Sequence, residues 1–194
     1  MIMSNEVLKK NCNGIFYLHE YYPVGCKEHT GFSKEMMKLK LQEESAIVLF
    51  GKQLKKGIAE LVYKDGTPFS YITMAVMPSH TAYEWGAPLE QICHSLCKGF
   101  GMFDGTRLLV RHTNHDQLTA GGNRSVESHI ETMRINPEYR IKGRTVIVLD
   151  DVTTSGNSLK AAETILRQHG AKKVYLVAIA QTMTGTDRGY DYAF

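Results

Sequence analysis

Cysteine is sparse in this chain and irregularly placed. There are four in 194 residues, at positions 12, 26, 93 and 97, and no Cys-x-x-Cys pair occurs. That pattern excludes a disulfide-dense secreted scaffold and predicts reduced thiols in a cytoplasmic protein. Long apolar runs are missing too, which excludes a membrane-spanning helix. The opening Met-Ile-Met-Ser-Asn-Glu-Val-Leu-Lys-Lys lacks the apolar core of a signal peptide. Blocks of like charge are missing: the net charge is only +3, and Lys38, Lys40, Lys52, Lys55 and Lys56 are spread along helical stretches as solvated faces. A mild positive balance suits an anionic small molecule and does not argue for nucleic acid. There are no internal repeats and no low-complexity segments. With 43% hydrophobic and 22% charged residues, the chain is expected to fold as a single domain over 1–194 with a sizeable core.

What is present concentrates in residues 146 to 158, Val-Ile-Val-Leu-Asp-Asp-Val-Thr-Thr-Ser-Gly-Asn-Ser. Val146 to Leu149 is a short apolar run rich in β-branched residues, predicting a strand buried on both faces. Asp150 and Asp151 stand at its carboxyl end. A hydroxyl-rich turn, Thr154, Ser155, Gly156, Asn157 and Ser158, then opens a helix marked by Leu159, Ala162, Ile165 and Leu166. In open α/β sheets ligands sit outside the carboxyl ends of strands. The turn has the makings of a phosphate cradle: unpaired N–H groups at a helix entrance, hydroxyl donors, and a glycine that lets the backbone approach. On this reading a side chain at Gly156 would intrude on the phosphate. The two carboxylates suit a diol or a magnesium shell beside it.

Further units surround this one. Residues 33 to 64 carry a helical stripe (Ile47, Phe50, Leu54, Ile58, Leu61, Val62), with Ser33 as N-cap and either one long helix or two broken near Glu44 and Ser45. Residues 70 to 77 predict a strand, 88 to 100 a helix, 107 to 111 another strand ending at Arg111, and 173 to 180 a further parallel strand. Gly170 is the expected helix terminator. Cys93 and Cys97, one turn apart among Leu89, Ile92 and Leu96, read as small buried hydrophobes or as half of a metal site. His19, Cys26 and His29 match no familiar metal spacing. Residues 112 to 144 form a long connection in which 112 to 123 has the composition of a lid. Strands alternating with helices from residue 70 onward predict a doubly wound α/β fold, with a mainly parallel sheet and helices on both faces.

Residues 146 to 158 resemble the phosphoribosyl-pyrophosphate (PRPP) motif of the type I phosphoribosyltransferases: four apolar residues, two acids, then Val-x-Thr-Thr/Ser-Gly-x-Thr/Ser. The resemblance implies transfer of ribose 5-phosphate from PRPP to a nitrogen acceptor, with release of pyrophosphate and with Mg2+ as cofactor. Asp150 and Asp151 would hold the ribose hydroxyls and the metal. Val152, Thr153, Thr154, Ser155, Gly156, Asn157 and Ser158 would contact substrate, Thr154 to Ser158 wrapping the 5′-phosphate. Ser79 and His80 would line the pyrophosphate loop, His80 standing where many members carry a basic residue. Arg111 and Arg124 would face the pyrophosphate. Arg111, Gln117 and Arg124 are similar to the pattern of the ComF-like branch over roughly residues 70 to 182, although that branch's zinc-binding cysteine pairs are absent. That branch also implies an alternative, a non-catalytic PRPP or nucleotide sensor that meets nucleic acid only through a partner protein. A homodimer is the family's habit. The end segments 1–32 and 183–194 are where an acceptor hood would be built.

Overall fold

The computed structural model describes residues 7–22, 31–114 and 125–183. Eight strands and five α-helices follow in order: β1 (Lys9–Lys10), β2 (Phe16–Tyr21), α1 (Gly31–Lys40), α2 (Glu44–Asp65), β3 (Ile72–Val76), α3 (Ala87–Phe100), β4 (Phe103–Gly105), β5 (Leu109–Arg111), α4 (Val126–Thr132), β6 (Met133–Ile135), β7 (Thr145–Thr153), α5 (Asn157–Gln168) and β8 (Lys173–Thr182). Six strands make one sheet in the order β1-β2-β8-β7-β3-β4, while β5 and β6 form a separate two-stranded ribbon. Every pairing in the main sheet is parallel except β1 with β2. The expected α/β architecture is therefore present.

The central strand β7 shows why the sheet sits between two helical layers. Val146 to Leu149 are fully buried, and successive side chains point to opposite faces. Ile147 and Leu149 join Phe50, Leu54 and Ile58 of α2 and Ile92 and Leu96 of α3 in one core. Val146 and Val148 join Leu159, Ala162, Ile165 and Leu166 of α5 in a second core on the other side. The apolar residues of α2 recur every three or four positions, the stripe that a helix needs to cover a sheet.

Several boundaries differ from expectation. The helical stretch breaks at residues 41–43, where Gln42 takes a positive φ of 61°. Ser33 is no N-cap: it lies within α1, buried, because the helix begins at Gly31. Residues 107 to 111 do not form a main-sheet strand. Phe103–Gly105 takes the edge position beside β3, and Leu109–Arg111 pairs antiparallel with β6. Apolar content alone does not distinguish a sheet edge from a ribbon packed beneath it, which explains the misassignment. The described part of the long connection holds α4 and β6. Gly170 ends α5 as expected, at φ 87°.

Candidate active site

The crevice that holds the candidate residues follows from the strand order. From β3 the chain passes through α3 to β4 on one side, and from β7 through α5 to β8 on the other. Helices α3 and α5 pack on opposite faces of the sheet. The loops leaving β3 and β7 therefore diverge, and a cleft opens between them at the strands' carboxyl ends. A cavity of about 310 Å³ lies there, lined by Ser79 and His80 after β3, Arg111 of β5, Asp150 and Asp151 of β7, and Ser158 of α5. That volume is at the small end of ordinary ligand pockets.

The carboxylates stand where the sequence places them, but inside the strand: β7 runs on through Thr153. The Asp150 carboxylate accepts the Asp151 N–H at 2.9 Å, and the Asp151 carboxylate accepts the Val152 N–H at 2.7 Å. Burial, then the neighbouring Asp151 charge, pushes the Asp150 carboxyl well above its ordinary value, while Arg111 pulls it back. Two half-buried, mutually repelling carboxylates form a hard-oxygen donor set. They fit a divalent cation or a sugar diol, either of which would relieve the repulsion.

Arg111, the last residue of β5, is buried, at 3% exposure, yet it lines the cavity. It clamps the site from beneath. Its Nε donates to the Ser79 carbonyl at 2.7 Å, and its Nη1 donates to Thr132 Oγ1 at 2.5 Å. Its own carbonyl accepts the Tyr83 N–H at 2.9 Å. Trp85 Nε1 donates to the Leu109 carbonyl at 3.1 Å. The loop over residues 78–86 is thus strapped to β5, and Tyr83 takes a positive φ of 61° within it. A non-glycine residue in that region costs about 1–2 kcal/mol, so the straps hold the loop in a shape it would not adopt alone.

The hydroxyl turn is formed, with different partners from those expected. Gly156 sits at the entrance of α5 with φ 82°. A Cβ built there would lie 2.4 Å from Ile15 Cδ1, so the glycine makes room for the residue just before β2. Asn13 braces the loop through the Ser155 carbonyl at 3.2 Å. The Thr154 hydroxyl donates to Thr182 Oγ1 at 3.0 Å, turning toward β8. Ser155 Oγ accepts the Asn157 N–H at 3.4 Å. Thr153 Oγ1 is buried and has no hydrogen-bond partner among the described residues. Val152, Thr153, Thr154, Ser155, Gly156 and Asn157 flank the cavity without lining it; of the hydroxyl turn, Ser158 lines it directly. Arg124, Gln117 and most of the expected lid fall outside the described residues, as do Cys26 and His29. Asn13, Ile15 and His129, which lines the cavity, were not picked out from sequence. They reach the site from elements far away in the chain, and no local pattern marks them.

A second cavity of about 380 Å³ adjoins the first and shares Gly86, Leu89 and Asp151 with it. Its other walls include Trp85 and, from the break after α1, Lys40 and Gln42.

Residues 101–194 match the phosphoribosyl transferase domain family. The ribose-phosphate pyrophosphokinase of Thermococcus kodakarensis is 36% identical over 59 residues, covering 26% of this chain and 21% of that protein. The Thermoplasma acidophilum enzyme of the same name is 40% identical over 43 residues, 22% of this chain and 15% of that protein. The chain thus spans about a fifth or less of the curated relatives it matches. Among solved structures, a hypoxanthine phosphoribosyltransferase from Trypanosoma cruzi with ternary substrates covers 76% of this chain and 85% of its own, at 13% identity and a TM-score of 0.46. The phosphoribosylpyrophosphate synthetase of Mycobacterium smegmatis covers 71% of this chain and 35% of its own, at 18% identity and a TM-score of 0.42.

Proposed function

We propose that this chain is a type I phosphoribosyltransferase that binds PRPP at the cleft between β3 and β7 and transfers ribose 5-phosphate to a nitrogen acceptor. The observation that carries the reading is the joint presence, around one cavity, of the Asp150–Asp151 pair, Ser158 at a helix entrance, and the strapped loop at Ser79 and His80. The relatives named as ribose-phosphate pyrophosphokinases carry a ribose phosphate and a pyrophosphate in their name, and the shared segment supports PRPP as ligand.

The residues divide the work by charge. Cleavage at the anomeric carbon builds positive charge on the ribose and negative charge on the departing pyrophosphate. Asp150 and Asp151 hold the ribose hydroxyls and stabilise the first charge. The amides of the 78–86 loop and the buried Arg111 beneath it favour the second. The N–H groups at the start of α5 take the 5′-phosphate. Magnesium, held by Asp150 and Asp151, would neutralise pyrophosphate charge. The acceptor belongs in the adjoining cavity, flat against Trp85, with Lys40 and Gln42 offering polar contacts at its edge.

Free cysteines among the described residues support a cytoplasmic location, and no described helix is long and apolar enough to cross a membrane. By the family resemblance Arg124 would face the pyrophosphate, a lid over 112–123 would exclude water, and the active unit would be a homodimer. The test is pyrophosphate release from PRPP and Mg2+ across a panel of purine, pyrimidine and amine acceptors. Turnover with one acceptor supports the transferase. Tight PRPP binding without turnover supports the sensor, and failure to bind PRPP rejects both.

A further inference from the structure

A group of metal-type donors lies elsewhere in the fold, and none of its members lines either cavity described above. Cys93 and Cys97 project from the same side of α3, and Asp104 stands on the edge strand β4. The two sulfurs and a carboxylate oxygen of Asp104 lie within 4.8 Å of one another. Both cysteines are buried, at 0% and 4% exposure. Each thiol faces a backbone carbonyl: Cys93 that of Met74 at 3.6 Å, and Cys97 that of Phe103 at 3.8 Å.

Two thiols and a carboxylate are a donor set for a borderline-soft divalent ion such as zinc, not for magnesium or calcium, which want oxygen throughout. A tetrahedral shell with zinc–sulfur bonds of about 2.3 Å puts its sulfurs roughly 3.8 Å apart. Side-chain rotation of about an ångström or less closes the observed spacing to that figure. Ligating carboxylates are themselves hydrogen-bonded in metal sites, and Asp104 meets this condition on both oxygens. Oδ1 accepts the Thr106 hydroxyl at 2.6 Å and the Thr106 N–H at 3.0 Å. Oδ2 meets His94 Nδ1 at 2.5 Å. The site also has an entry path, since the Asp104 and His94 side chains are 42% and 58% exposed while the sulfurs lie behind them.

We propose that Cys93, Cys97 and Asp104 form a zinc-class site that fastens the second half of α3 to the sheet edge at β4, with water as the fourth ligand and His94 positioning the carboxylate. On binding, both thiols lose their protons to solvent and two sulfur–metal bonds form; nothing is oxidised or reduced. A clip here would steady α3, the helix that leaves the 78–86 loop.

The experiment uses the full chain with Cys12→Ser and Cys26→Ser, so that Cys93 and Cys97 are the thiols left. After chelator treatment under reductant, it is titrated with Co2+ and followed by absorbance. One Co2+ per chain, with a sulfur-to-cobalt charge-transfer band that Zn2+ abolishes by displacement, is expected. Asp104→Asn, a change at a side chain 42% exposed, should weaken binding at least about tenfold. His94→Gln should weaken it about tenfold while leaving the saturated charge-transfer band and the visible bands unchanged. No charge-transfer band at stoichiometric Co2+, or an affinity indifferent to Asp104→Asn, overturns the site. A shift of the visible bands in His94→Gln overturns the water-ligand assignment.

Discussion

The contact between Gly156 and Ile15 allows a quantitative test of how the phosphate turn is held. In Gly156→Ala the new Cβ lies 2.4 Å from Ile15 Cδ1, and the residue keeps a φ of 82°. The left-handed backbone costs about 1–2 kcal/mol for alanine. Overpacking against a fully buried isoleucine adds about 1–3 kcal/mol. Lower entropy in the unfolded chain returns about 0.4–1 kcal/mol. The net loss is about 1–5 kcal/mol, a substantial part of a typical stability of about 5–15 kcal/mol. Ile15→Val removes the clashing Cδ1 and by itself costs about 0.5–1.5 kcal/mol. The double variant should therefore be more stable than the sum of the singles by about 1–3 kcal/mol, the overpacking share. Urea unfolding of the four proteins, at constant m-value, measures this coupling. If the two changes add within about 0.5 kcal/mol, the packing explanation for this glycine is wrong. The added Cβ points at Ile15 and not into the cleft, so the double variant should bind PRPP as Ile15→Val does. Weakened binding in the double variant alone would restore the view that Gly156 makes room for phosphate.

Asp150→Asn with Asp151→Asn should reduce transfer by at least about 100-fold; pyrophosphate release at the parent rate rejects their assigned role. The folded Asp150 carboxyl sits above its ordinary value, so the stability it lends at acid pH is lost as pH rises from the ordinary carboxylate range through its folded value. Asp150→Asn alone should therefore unfold at higher temperature than the parent at neutral pH, with the gap closing toward acid; a constant gap in calorimetry contradicts the burial and repulsion argument. Asp65 behaves oppositely. Burial alone would raise it, but hydrogen bonds from Lys173, Thr67 and Tyr175 outweigh that and hold it at about 2. Asp65→Asn should cost about 1–2 kcal/mol at pH 7, the loss vanishing as pH falls from about 4 toward 2; denaturant titrations across that window check it. Arg111→Lys keeps the charge but breaks the fork linking Ser79 to Thr132, so KM for PRPP should rise about tenfold with a lower melting temperature. Unchanged KM in steady-state kinetics removes Arg111 from the site.

The sequence by itself determined the features set by local pattern. The run Val146 to Leu149 reads as a two-face-buried strand, because it is short, mostly β-branched and bounded by a polar turn. The acids, the hydroxyl turn and the α5 stripe follow it without interruption, so the candidate site was legible where it is contiguous. What only the tertiary structure decided depends on pairs far apart in the chain. The burial of Arg111 comes from β5 pairing with β6 in a ribbon, which sets it against Ser79 and Thr132. Gly156 looked like a ligand glycine until Ile15, 141 positions earlier, occupied the space beside it. Cys93, Cys97 and Asp104 became a donor set only when the α3–β4 turn brought strand and helix together. Short-range spacing encodes which face a side chain takes, but distance between faces is set by sheet order, and no local pattern reports it.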